Sequence, residues 1–185
     1  MQQKHPMNLD IEFQELPIVE AVFYTRLGLQ LEVFTIRDVS DWVDEVLLRE
    51  DEPDAFFGEL YRLLHTEKQR VLAYLRQAFP EASFSVRPAL AWLHQLFVTG
   101  QWALGPTLTS LYRLRTLVVS DQEVGWIYGL SADYEQAAAA PAAQPKVAQQ
   151  TAAFLGCYQQ YTFANRRQWP LLDAGLEVQL ASLQS

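Results

Sequence analysis

Apolar residues recur every three to four positions along most of this chain, the repeat of helices with one buried face. From Pro17 to Gln30 that spacing is kept by Val19, Val22, Phe23 and Leu27, with Pro17 suited to a first turn and Gly28 placed to end the helix. From Thr35 to Glu50 the residues Val39, Trp42, Val43, Val46 and Leu47 fall on one side at about 100° per residue. Asp38, Asp41, Asp44 and Glu45 are assigned to the other side. Thr35 followed by Asp38 resembles a capping box, with Asp in place of the usual Glu or Gln.

Residues 53–80 read as one long helix or two, because Thr66 with Gln69 offers a second capping box just after His65. Residues 87–119 predict a further pair, punctuated by Gly100 and by Gly105–Pro106. Ser120 and Glu123 make a clean capping box for the next helix. The chain then turns to Ala, Pro and Gln, which predicts an exposed loop near residues 136–146. It is not read as a domain boundary, since only about 40 residues follow, too few for a separate core. Phe154, Tyr158 and Tyr161 stand at i, i+4 and i+7 of another helix, and Pro170 opens a last short one over residues 170–185. Strand signals are confined to residues 82–86 and 117–120, without a hairpin turn. The expected fold is all-α: a single-domain helical bundle over residues 1–185, with about seven to eight helices and antiparallel neighbours.

Composition supports folding and restricts the partners. Of 185 residues, 50% are hydrophobic and 12% aromatic, enough apolar surface for an unaided core. The net charge of −8 makes nucleic acid and anionic membrane poor partners and favours a basic one. A lone cysteine, Cys157, excludes an intramolecular disulfide and fits a reducing compartment. Residues 1–13 lack the apolar core and cleavage site of a signal peptide, and no run of about 18 apolar residues occurs. A soluble, cytoplasmic location is expected.

Catalytic signatures are incomplete. The potential zinc ligands are Cys157, His5, His65 and His94; "HTE" at 65–67 matches half of a deaminase signature, but its P-C-x-x-C half is missing. Cys157 sits among aromatics, the usual setting of a small buried hydrophobe. Glycine-rich phosphate loops and the G-x-S-x-G elbow are absent. No metal or cofactor is expected. An alternative reading is a helical enzyme or small-ligand binder, its site assembled in three dimensions from His65, His94 and acids; a third is a self-associating structural protein.

The residues that stand out are Asp38, Asp41, Asp44, Glu45, Glu50, Asp51, Glu52 and Asp54, eight acids accompanied only by Arg49. Acids at i,i+3 and i,i+4 repel and slightly destabilise a helix, so local stability does not favour the pattern. A solvated face is its commonest use, and outward placement argues against a metal site. A negative patch also accelerates association with a basic protein. Trp102, in the Gly-bounded "TGQWALGP", is a candidate interface aromatic.

Trp42, Asp44, Asp51, Pro53, Glu59 and Leu60, within "VSDWVDEVLLREDEPDAFFGELYRL", carry a resemblance to small all-helical bacterial proteins of unknown function or toxin-immunity type. "SDQEVGWIYGLSADYEQA" is similar to a second helix of such proteins. The resemblance covers about a third of the chain. It implies a non-catalytic role: tight binding of a toxin domain. Nuclease toxins are basic because they grip phosphate backbones, and an acidic inhibitor would mask that surface. The expected function is therefore a non-enzymatic protein-binding protein, with the eight acids and Trp102 on its partner-binding surface.

Overall fold

The computed structural model describes residues 7–183. Every regular element among them is helical: ten α-helices and two 3-10 helices, and no strand. The two strand candidates are largely irregular connections. The chain forms two compact units, residues 1–84 and 85–185.

The first unit contains α1 (Leu9–Glu12), α2 (Ile18–Gln30), α3 (Ile36–Arg49), α4 (Ala55–Leu63) and α5 (Lys68–Ala78). Helix α2 does not stop at Gly28. It runs to Gln30, and the residue that turns left-handed beyond it is Glu32, at φ 64°. The Gly28 carbonyl accepts the amide N–H groups of Val33 and Phe34, at 2.9 and 3.1 Å. Glycine at 28 serves close approach instead: the Phe34 ring fills the space that a β-carbon there would occupy. Phe34 meets Phe13 edge-on, Phe13 meets Trp42, and Trp42 meets Phe57, the last two pairs both at 5.4 Å between ring centroids. Trp42, from the predicted apolar stripe of α3, is thus the centre of an aromatic chain joining α1, α3 and α4.

The break between α4 and α5 resolves the choice between one helix and two. Thr66 does not form the expected box with Gln69. Its hydroxyl donates to the Leu63 carbonyl at 2.6 Å, closing the end of α4, and the N-cap of α5 is Glu67.

The second unit contains α6 (Arg87–Val98), α7 (Leu104–Leu114), α8 (Asp121–Ala139), a 3-10 turn (Pro141–Ala143), α9 (Gln144–Gly156), a second 3-10 segment (Phe163–Gln168) and α10 (Trp169–Ser182). Gly100, at φ 71°, ends α6 as its position suggests. Gly105 and Pro106 do not interrupt anything. They lie in the first turn of α7, where the missing proline N–H costs no helical hydrogen bond. The expected loop near 136–146 is mostly helical, though exposed except at Ala137. Alanine is the best helix former, and the two prolines fall in first turns, so this composition extends α8 and starts α9. The last predicted helix ends at Ser182; Gln184 and Ser185 lie outside the described residues.

The number of helices therefore exceeds the expected seven to eight. Part of the excess comes from the division of residues 53–80 into α4 and α5, and part from the four-residue α1, too short for an apolar period, which Asn8 caps by accepting the Ile11 N–H.

Two glycine substitutions separate packing from propensity. Gly28→Ala is expected to destabilise the protein by about 1–3 kcal/mol, because the new methyl overlaps the Phe34 ring. Gly58→Ala in α4 meets open space and should stabilise it by about 0.5–1 kcal/mol. Urea unfolding measures both; loss of stability at Gly58, or none at Gly28, contradicts this packing.

Candidate functional site

The eight acids divide into three roles. Asp38 faces inward, 5% exposed, and is corrected from the outward row to which the sequence assigned it. At 100° per residue it lies only about 40° around the helix from Trp42. Its carboxylate accepts the Thr35 backbone N–H at 2.6 Å and the Thr35 hydroxyl at 2.7 Å, while the Asp38 N–H donates to the Thr35 hydroxyl oxygen. The predicted capping box is therefore present, and it occupies Asp38. Asp54 caps α4 by accepting the Phe56 N–H at 2.8 Å.

Asp41, Asp44, Glu45, Asp51 and Glu52 are exposed and make no ion pair among the described residues. Glu50 is exposed with Arg49 3.9 Å away. Arg49 is directed elsewhere. Its guanidinium donates to both carboxylate oxygens of Asp10 in α1, at 2.7 and 2.8 Å, and that hydrogen bonding raises its pKa.

One residue of this surface escaped the sequence reading. Leu48 is 84% exposed. It follows Asp41, Asp44 and Glu45 at i+7, i+4 and i+3, so on the outward face of α3 this leucine neighbours three carboxylates, with the exposed Arg37 on the same face one turn before Asp41. The signal was readable: Leu48 falls outside the apolar stripe on a helical wheel, although the adjacent Leu47 belongs to it.

Trp102 is in the second unit, half-buried in the turn after Gly100, with its backbone N–H bonded to the Leu96 carbonyl at 2.9 Å. His65 is exposed at the end of α4, where it meets the Tyr61 ring edge-on at 5.5 Å. His94 is half-buried in α6, and burial lowers its pKa. Neither histidine forms an ion pair with a carboxylate among the described residues. His5 lies outside those residues. Burial raises the pKa of Cys157, whose thiol contacts the Ala153 carbonyl. Among the described residues no three His, Cys, Asp or Glu side chains are grouped to hold a metal ion.

A polar cluster in the second unit was also missed. Glu123, 1% exposed, closes the predicted box with Ser120 and in addition accepts the Tyr158 hydroxyl at 3.0 Å and the Arg87 Nε–H at 3.3 Å. Arg87 also donates to Asp173, which accepts the Tyr161 hydroxyl at 2.9 Å. One network thus ties α6, α8, the turn after α9, and α10. Burial, followed by the neighbouring Glu123 charge, pushes the Tyr158 pKa far above the ordinary tyrosine range. Burial and the bond to Asp173 raise that of Tyr161. The cluster is buried at Glu123, Tyr158 and Tyr161, open to solvent at Asp173, and bonded within itself, a brace for the unit.

No protein-family model, curated protein or solved structure matches this chain. No helix of the described residues is long and apolar enough to cross a membrane.

Two measurements check these assignments. Asp38→Ala removes the cap of α3 and should cost about 1–2 kcal/mol in urea unfolding, whereas Asp41→Ala should change stability by less than about 0.5 kcal/mol. The buried tyrosines set an alkaline limit. Their raised pKa values favour the neutral form in the folded state, so this contribution is complete below the unfolded tyrosine value of about 10 and declines as pH rises beyond it. Tyr158→Phe should lower stability at neutral pH by about 1 kcal/mol and flatten the decline above pH 10. An unchanged alkaline slope would show that Tyr158 does not govern it.

Proposed function

We propose that this protein is a non-catalytic binding protein, and that the outward face of α3 with the acidic turn after it receives a basic protein partner. The observation that carries the reading is Leu48, 84% exposed near the end of α3 on the face that carries Asp41, Asp44 and Glu45. An apolar side chain that can be desolvated, rimmed by charges that remain wet, is how protein interfaces combine affinity with steering. Glu50, Asp51 and Glu52 extend the negative rim beyond the helix. Arg49 is bound to Asp10 and reaches Glu50 only at 3.9 Å, so it makes no ion pair with Asp41, Asp44 or Glu45.

The partner class follows from charge. A net charge of −8, with exposed carboxylates grouped along one helix, attracts a surface rich in Lys and Arg. Nucleic-acid-cleaving toxins present such surfaces, and the resemblance to toxin-immunity proteins points the same way. On this reading the protein is an immunity-type inhibitor that covers the toxin's phosphate-binding surface, acting in the cytoplasm without metal or cofactor.

The first test is whether a basic toxin domain is encoded beside this protein's gene; stopped-flow association with that domain is the second. Reversing three charges, Asp41→Lys, Asp44→Lys and Glu45→Lys, should slow association about ten-fold or more at low salt, with the difference shrinking as salt rises. Leu48→Ala should instead accelerate dissociation, by about five-fold or more. Rates that ignore all four substitutions, or a neighbouring gene with no toxin domain, would reject this function.

A further inference from the structure

The second unit carries a groove that the acidic face does not explain. Helices α7 and α8 run antiparallel: Gly105 opposes the Tyr134 hydroxyl, and one helix-length along Tyr112 meets Tyr128 edge-on at 5.6 Å between centroids. The channel between them has a volume of about 660 Å³, within the range of small-molecule sites. Its walls include Leu108, Thr109, Ser131 and Glu135 besides the tyrosines.

Two of the wall hydroxyls are committed as donors within their own helices. The Thr109 hydroxyl donates to the Gly105 carbonyl at 3.0 Å, and the Ser131 hydroxyl donates to the Ile127 carbonyl at 2.9 Å. With their protons committed to the helix, both hydroxyls have only acceptor lone pairs to offer. Glu135 adds a carboxylate, and it sits near the C-terminal end of α8, where the helix contributes partial negative charge. Arg113 also lines the channel, but it is eight residues along α7 from Gly105, about 12 Å at 1.5 Å per residue, and so belongs to the opposite end. One face of Tyr112 is taken by the Arg115 guanidinium, 4.0 Å from the ring centroid, and its edge meets Tyr128, so this ring offers a ligand apolar contact and no free cation–π face.

We infer that the α7–α8 groove is a binding site for a small organic cation, an alkyl ammonium or guanidinium compound. Its charged head is held by Glu135 with the acceptor oxygens of Ser131 and Thr109. Its aliphatic stem lies over Leu108 and the edges of Tyr112 and Tyr128, which are 37% and 49% exposed. This inference is independent of the partner proposed for the first unit.

Calorimetric titration of the full chain with n-butylguanidine tests it, with valerate as an anion of similar length. Butylguanidine is expected to bind with a Kd of roughly 10–1,000 µM, and valerate not to bind. Glu135→Gln should weaken butylguanidine about five-fold or more, and Tyr128→Ala, which removes the wall beside the stem, about three-fold or more. Ala132→Trp, which fills the groove from an exposed helical position, should abolish binding while circular dichroism confirms an intact fold. The site is overturned by no butylguanidine binding, by equal affinity for valerate, or by binding that survives both Glu135→Gln and Ala132→Trp.

Discussion

Each unit is organised around a carboxylate three residues into a helix and turned inward. Asp38 opens α3 in the first unit and Glu123 opens α8 in the second, exposed by only 5% and 1%. A helix start leaves backbone N–H groups without partners, and a capping box satisfies two of them reciprocally. Burying the carboxylate adds a desolvation cost that only further hydrogen bonds can offset. Asp38 meets it with two donors from Thr35. Glu123 meets it with Ser120, Tyr158 and Arg87, and the need to satisfy one acid then fixes the positions of two other elements, α6 and the turn after α9. Arg87 in turn is satisfied by Asp173, so the brace extends to α10.

What the sequence revealed follows from how local each interaction is. The Thr35–Asp38 and Ser120–Glu123 boxes span three residues, so their spacing was enough to locate two helix starts. The Trp42 stripe was legible for the same reason: a helical period of apolar residues needs no knowledge of the partner surface. The network of Arg87, Glu123, Tyr158 and Asp173 joins residues 35 to 86 positions apart, and no local pattern announces it. Gly28 and Gly105 were misread as stops because a glycine looks the same whether it serves left-handed backbone or close approach. Only the Phe34 ring and the Tyr134 hydroxyl lying against them decide the matter.

The candidate binding face was half legible. The acidic run was conspicuous, but composition could not tell a cap from a free charge. Asp38 and Asp54 satisfy backbone N–H groups, and they would be kept in a protein with no partner at all. Five of the remaining acids have no such duty. Leu48 was hidden by its neighbour, since Leu47 and Leu48 read as one apolar pair until the wheel separates them by about 100°.

That separation bears on why the face is arranged as it is. Asp41 with Asp44 and Glu45 places like charges one turn apart, which costs a helix a few tenths of a kcal/mol per pair. Leu48 adds a leucine left in water, where a polar residue would improve solubility without loss of packing. Folding of α3 is already secured by the Thr35–Asp38 cap and by the contacts of Trp42 with Phe13 and Phe57. The outward residues are therefore released from any structural duty, and two small penalties coincide on one face of the same helix. A basic surface with an apolar recess would relieve both together: its cations remove the repulsion while its recess takes the leucine out of water.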